Sequence, residues 1–258
     1  MTKKNNRLAN KNYWNNKYST NVDFKRTIKI HTKINLATAE IDKYLKKFLP
    51  YKPTFKFIEI GCAPGSWMYY FHSTFGYQPQ GLEYSHSGVE LTKKNLTTLK
   101  LKPIVWEQDL FKNKLKKHSY DVVFSGGFIE HFNNPDESIQ KHVELLKKGG
   151  YLILEVPNFR GFNYFIQKHI DKSILDKHNT QMMDTAYFSS IKNKFKLKII
   201  DISYVGKINF AVFGGNKYKL LPFYALQLLL TIFYRIFGSL PITDNKNTSP
   251  YIIGIFQK

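Results

Sequence analysis

One cysteine, Cys62, stands alone among 258 residues, so no internal disulfide framework is available to this chain. No set of Cys and His residues falls at zinc-ligand spacing, and no structural metal is expected. Acidic residues are scarce as well: 19 Asp and Glu against 39 Lys and Arg leave a net charge of +20. Such a balance attracts nucleic acid, anionic headgroups or phosphorylated substrates. Lys and Asn abound along the whole chain, so compositional bias explains the excess as readily as a polyanionic partner does. Residues 1 to 20 are polar and lack the apolar core of a secretory signal, which makes a cytoplasmic protein the expectation.

What is present is a hydrophobic content of 43%, enough for one α/β domain with a substantial core and some decoration. Ala37, Ile41, Leu45 and Phe48 recur at helical spacing and predict a helix ahead of the sheet, read as part of a lid formed by residues 1–50. The apolar run Phe55 to Ile60 predicts a buried strand, followed by a Gly- and Pro-containing turn and a helix from Ser66 to about Phe75. A second strand ends near Glu83. Ser87 and Glu90 then stand in capping-box spacing for a helix reaching about Leu99. Ile104 to Glu107 and Asp121 to Ser125 read as strands three and four. Asn134 and Pro135 open a helix that Gly149 and Gly150 stop, and Tyr151 to Val156 is strand five. Leu197 to Tyr204 and Tyr251 to Phe256 complete seven strands. Strands alternating with helices predict a doubly wound, mostly parallel seven-stranded sheet in a single domain spanning 1–258.

One run fits this scheme poorly. Leu220 to Phe237 is almost continuously apolar, broken by Pro222, Gln227, Thr231 and Arg235. Eighteen residues with those breaks are marginal for crossing about 30 Å of hydrocarbon. A core helix packed on the sheet, a helix covering the site, and a helix lying on the inner face of the membrane all remain open.

The chemistry concentrates at strand ends. Glu59-Ile60-Gly61-Cys62-Ala63-Pro64-Gly65 closes the first strand with a turn whose glycines let backbone approach a ligand. A dinucleotide fingerprint needs glycine at its third and sixth positions, which here are Ala63 and Ser66. Glu59 also suits a cationic ligand end better than a pyrophosphate. Glu83, followed by Tyr84, ends the second strand where an open α/β sheet offers a carboxylate to ribose hydroxyls. Asp109 follows the third strand, placed to accept from an exocyclic amine beside the apolar Leu110.

Together these residues resemble the class I S-adenosylmethionine-dependent methyltransferases over roughly residues 53 to 160. The resemblance implies a Rossmann-like fold with S-adenosyl-L-methionine as cofactor. Glu59, Gly61, Cys62, Ala63 and Gly65 would surround its methionine part, Glu83 and Tyr84 its ribose, and Asp109 and Leu110 its adenine, with Ser125 closing the pocket. The departure is Ala63, where glycine is the commonest residue. Residues 161–258 would complete the sheet and build the acceptor site.

The stretch from Ser125 through Glu130-His131 to Pro135 resembles the segment after the fourth strand in small-molecule and lipid-quinone O-methyltransferases. Neutral imidazole is a competent base near pH 7, so His131 is a candidate for accepting a hydroxyl proton, as is His178; simple packing is the competing role. Glu130 and Asn158 are candidate acceptor contacts, and Tyr13 and Trp14 are placed to fold over the site from the N-terminal lid. The segment around Asn158 and His178 is similar to methyltransferases of sugars and glycan precursors, so the expected partner is a small or lipid-linked glycan. A lipid quinone is the alternative acceptor. Nucleic acid is disfavoured: Ala63-Pro64-Gly65-Ser66-Trp67 resembles the turn of RNA ribose methyltransferases, but Ser125-Gly126-Gly127 replaces their aspartate. A non-catalytic scaffold would have no use for the cofactor set.

Overall fold

The computed structural model describes residues 6–19, 36–102, 104–238 and 240–258. Seven strands form one sheet: β1 (Lys56–Ile60), β2 (Gln78–Glu83), β3 (Ile104–Glu107), β4 (Tyr120–Gly126), β5 (Leu146–Pro157), β6 (Lys198–Val205) and β7 (Tyr251–Gln257). Their spatial order is β3-β2-β1-β4-β5-β7-β6. Strands β1 to β5 pair in parallel, and β7 runs antiparallel between β5 and β6. The sheet is the doubly wound, mostly parallel one expected.

The helices are α1 (Lys11–Ser19), α2 (Leu36–Phe48), α3 (Ser66–Phe75), α4 (His86–Thr98), α5 (Pro135–Leu145), α6 (Gly161–Leu175), α7 (Thr185–Phe195) and α8 (Lys217–Phe237). Both faces of the sheet are covered, which is why the central strands read as continuous apolar runs. Alternate residues serve opposite faces: Ile58, Val123 and Leu152 join one cluster, while Phe57, Val122 and Ile153 join the other. The second cluster is aromatic, with Phe57 stacked on Phe71 at 4.5 Å.

The residue pattern marked most element ends. Asn134 caps α5 by accepting from the Asp136 amide at 3.2 Å, with Pro135 in the first turn. Gly76, at φ +74°, closes α3 by donating its amide to His72 O.

Three expectations need correction. Helix α2 is no lid: Ile41 and Leu45 are buried in the aromatic cluster, and Tyr44 donates to Asp201 of β6 at 2.6 Å. An amphipathic stripe serves a core helix and a lid equally well, so periodicity could not separate them. The lid over the sheet edge is α1, and residues 20–35 of the expected lid lie outside the described residues. The capping box at Ser87 and Glu90 is not formed, because α4 begins at His86 with Ser85 as its N-cap. Finally, α5 stops at Leu145 and β5 starts at Leu146, so Gly149 sits within the strand at φ +79° rather than ending the helix.

Helix α8 is not a core helix either. Its outer side chains stand in solvent along the whole element, Leu221 at 67% and Ile236 at 69% exposure.

Candidate active site

Strand order reverses direction between β1 and β4, and in open α/β sheets the crevice outside the carboxyl ends of such strands is where ligands bind. A cavity of about 380 Å³ lies there. Its floor is the first turn and the end of β4, with Gly61, Ala63 and Pro64 facing Gly126 and Gly127. Leu82, Leu110, Phe128 and Phe132 give it apolar walls, and Glu83 places a carboxylate in one of them.

Local conformation explains the glycine turn. Gly61 has φ +74°, and a Cβ there would sit 2.6 Å from Phe128 Cδ2. Gly65, at φ +96°, precedes α3 and rests against Thr92 and Leu96 behind the turn rather than in the wall. Glu59 lies beneath the cavity, where its Oε2 accepts from the Met68 amide at 3.1 Å in the first turn of α3. Glu83 Oε1 accepts from Ser85 N at 2.8 Å and Ser85 Oγ at 2.7 Å, and its Oε2 from Ala63 N at 3.4 Å.

Four carboxylates, those of Glu59, Glu83, Glu130 and Glu155, are buried around this floor. Burial raises the pKa of all four, to about 8 for Glu155, and their mutual repulsion adds to it for Glu59 and Glu130. A cation bound among them would restore their charged forms. Lys17, which lines the cavity, already faces Glu130 and Glu83, and burial lowers its own pKa.

The N-terminal segment closes the cavity. Leu8 N donates to His131 O at 2.8 Å, and Arg7 pairs with Phe132 in an isolated bridge. Arg7, Trp14, Lys17 and Tyr18 all line the cavity, and Tyr18 Oη donates to Ala63 O at 3.3 Å. Of these, only Trp14 had been singled out. Tyr13 packs outside, under the Lys177 ammonium at 5.3 Å from its ring. Asp109 forms an ion pair with Arg7, and its Oδ1 also accepts from Phe111 N at 3.0 Å. Asp109 itself is not among the residues that line the cavity, whereas Arg7 and Leu110 are. Arg7 lies 102 residues away in sequence, so no local signal announces this pair.

Beyond the cavity, the chain brings Glu130, His131 and His178 together, with donor atoms all within 4.8 Å of one another. His131 is a cavity wall; its ring lies 4.9 Å from Trp14 and 4.5 Å from His178. His131 Nδ1 bonds Lys177 O at 2.7 Å, and His178 Nδ1 bonds Ile174 O at 2.6 Å. A carbonyl only accepts, so each Nδ1 carries the proton and each Nε2 keeps its lone pair. Burial holds both rings neutral, at about 3 for His131, with His178 adding to the effect, and at about 4 for His178. Neither carboxylate oxygen of Glu130 has a hydrogen-bond partner among the described residues. Such a set offers two lone pairs to a ligand hydroxyl, as weak bases whose proton would need the Glu130 carboxylate beside it, and its donor atoms would also suit a small metal ion.

Besides Glu59, Gly65 and Tyr13, three more expected site residues lie outside the cavity wall. Asn158 Nδ2 donates to Lys246 O and Ser249 O, at 3.0 and 2.9 Å, and its Oδ1 accepts from Arg160 N; the side chain is saturated and anchors the loop before β7. Cys62 is buried against Gly81 and Met68 with its thiol pKa pushed up by burial, and does not face the cavity. Ser125 is fully buried, and Gly126 and Gly127 form the wall in its place.

Residues 58–154 match the family described as "Methyltransferase domain". No curated protein sequence matches the chain. Among solved structures, it resembles a Thermotoga maritima protein described as "SAM-dependent methyltransferase, possible histamine N-methyltransferase", with 17% identity, coverage of 92% of this chain and 95% of that one, and a TM-score of 0.58. Geranyl diphosphate C-methyltransferase from Streptomyces coelicolor A3(2) aligns with 12% identity over 85% and 78% of the two chains, at a TM-score of 0.57. A SAM-dependent methyltransferase from Archaeoglobus fulgidus aligns with 16% identity over 84% and 93%, at 0.55. At such identities the likeness speaks for the fold, and acceptors differ among proteins that share it. Residues 58–154 thus match a methyltransferase-domain family, and the fold of the described residues is the one that these solved methyltransferases share.

Proposed function

We propose that the chain transfers the methyl group of S-adenosylmethionine to a hydroxyl of a small acceptor, a sugar or glycan precursor, free or lipid-linked. The observation that carries this reading is that His131 belongs both to the cavity wall and to the Glu130, His131 and His178 group.

The residues present fit the cofactor. Backbone rather than side chain borders the cavity at Gly61, where a Cβ would collide with Phe128. Glu83 would accept from ribose hydroxyls and Leu82 and Leu110 would flank the adenine, all three lining the cavity, while Asp109, paired with Arg7 of that lining, would meet its amine. Bound there, the cofactor supplies a methyl group activated by its sulfonium. The buried carboxylates favour that positive charge, and α1, through Trp14 and Tyr18, excludes water from it.

What is left for the protein is to align one hydroxyl and receive one proton. A neutral imidazole Nε2, on His131 or His178, takes that proton as the oxygen attacks. Unpartnered Glu130 then faces the resulting imidazolium, its Oε1 3.7 Å from His131 Nε2. The test is incubation of purified protein with methyl-labelled cofactor and separate panels of sugars, lipid-linked glycans, quinols and RNA. Label in the sugar or glycan panel is expected. Label in RNA alone overturns the reading, and label in quinols alone moves the acceptor to the lipid-quinone class.

A further inference from the structure

Helix α8 is built inside out. Its polar side chains face the protein: Gln227 Oε1 accepts from Phe210 N at 2.7 Å, Thr231 Oγ1 donates to Gln227 O at 2.7 Å, and Tyr234 hydrogen-bonds Glu40. Its large apolar side chains face outward, with Leu221, Leu228, Leu229, Ile236 and Phe237 between 60% and 69% exposed. At 3.6 residues per turn, the exposed apolar positions cover an arc of roughly 220°. Left in water, so large an apolar patch is a liability and marks a surface that something covers.

Length alone would let this helix cross a bilayer, since 21 residues extend about 31 Å. Its packing opposes that. From Leu220 to Tyr234 the inner side is held to the domain, with Leu220 buried and Phe223 against Phe210 at 5.4 Å and Phe213 at 6.3 Å. A helix held along one side lies on a surface rather than through it.

Charge decides what that surface is. The helix contains Lys217, Lys219 and Arg235 but no acid, in a chain of net charge +20. Lys219 Nζ donates to His169 O at 2.8 Å, which ties the start of α8 to a stretch of α6 in which Lys168 and Lys172 outnumber Asp171. A second copy of the chain would bring a second strongly positive body against the first, whereas anionic headgroups complement the basic residues around the apolar face. We propose that α8 docks the protein on an anionic bilayer surface, with its Leu221 to Phe237 face in the boundary between headgroups and acyl chains.

Aromatic contacts run from the inner side of α8 into the domain: Phe223 to Phe213 at 6.3 Å, Phe213 to Phe159 at 6.5 Å, and Phe159 to His178 at 5.1 Å. The docked helix is thereby packed, ring against ring, toward the His178 side of the site.

The test is flotation with phosphatidylcholine vesicles, with and without phosphatidylglycerol, of wild type and the double variant Leu228→Glu, Ile232→Glu. Wild type should float with the anionic vesicles, about tenfold less with phosphatidylcholine alone, and lose flotation in high salt. The double variant should stay at the bottom while still binding S-adenosylhomocysteine, which shows it is folded. Wild type left at the bottom, or both proteins floating equally, overturns the proposal. So does a wild-type dimer that the double variant dissolves in the absence of any flotation, since a second copy would then cover the face. Methylation of a soluble sugar by the double variant would leave the acceptor reading standing whatever the vesicles show.

Discussion

The cavity between β1 and β4 and the outer face of α8 break the ordinary sorting of side chains in opposite directions. Around the cavity, four carboxylates and the His131 and His178 rings are taken out of water; on α8, leucine, isoleucine and phenylalanine are left in it. Both arrangements cost stability, because a buried acid loses hydration and an exposed apolar face retains ordered water. Neither helps the fold stand, and each makes sense once a ligand is added: a cation with an adenine ring in the first, lipid in the second. On the two readings proposed above, departures from side-chain sorting mark where this protein meets other molecules better than its net charge does.

The comparison breaks most sharply at Gly61. Gly61→Val places a branched side chain at φ +74° against Phe128 and should cut S-adenosylhomocysteine affinity on the order of 100-fold or more by calorimetry. Vesicle binding should survive, because α8 lies outside the cavity; joint loss of both would mean the two regions are not separable.

Next in size are the histidines. His131→Gln and His178→Gln should both retain cofactor binding, while the variant lacking the proton acceptor loses about 10²- to 10⁴-fold in kcat. Both variants staying within tenfold of wild type would remove the imidazoles from the chemistry.

A smaller effect concerns pH. His131, His142 and His178 titrate at about 3, 4 and 4 in the folded protein, through burial, against about 6.5 when unfolded. Below about pH 6.5 these histidines bind more protons in the unfolded chain, so their contribution is complete above that point and is lost as pH falls toward 4. By about pH 5.5 each histidine should cost about 1.4 kcal/mol, while the four buried carboxyls with raised pKa gain stability as pH falls, so the histidine effect is read in the comparison of wild type with His142→Gln, whose Tm should gain on that of wild type between pH 7 and 5. A Tm difference between the two proteins that is constant from pH 7 to 5 would contradict this.

The smallest is Asn134→Ala, which removes the cap of α5 and should cost about 1 kcal/mol in denaturant unfolding, leaving both the cavity and α8 unchanged.

Much of the cavity lining was legible because it is local. Gly61, Ala63, Glu83, Tyr84 and Leu110 sit at strand ends, a few residues from the apolar runs that define those strands, and all five line the cavity. Local spacing misled where it had two meanings. The stripe Ala37, Ile41, Leu45, Phe48 suits a lid or a core helix, and Asn158 at a strand end resembles a ligand contact until its amide is found spent on Lys246 and Ser249. The walls Arg7, Lys17 and Tyr18 went unseen because only the folded chain sets the N-terminal segment across the sheet edge.

By itself, the sequence determined the alternation of strands and helices, the glycine turn and the order of acids that follows it. These depend on backbone preference and hydrophobic period, which act over a few residues. Tertiary structure alone decided that His178 meets His131 and Glu130, that Arg7 holds Asp109, and that α8 turns its polar side inward. Such facts depend on which distant segments share the space left by packing, and no spacing along the chain encodes that choice.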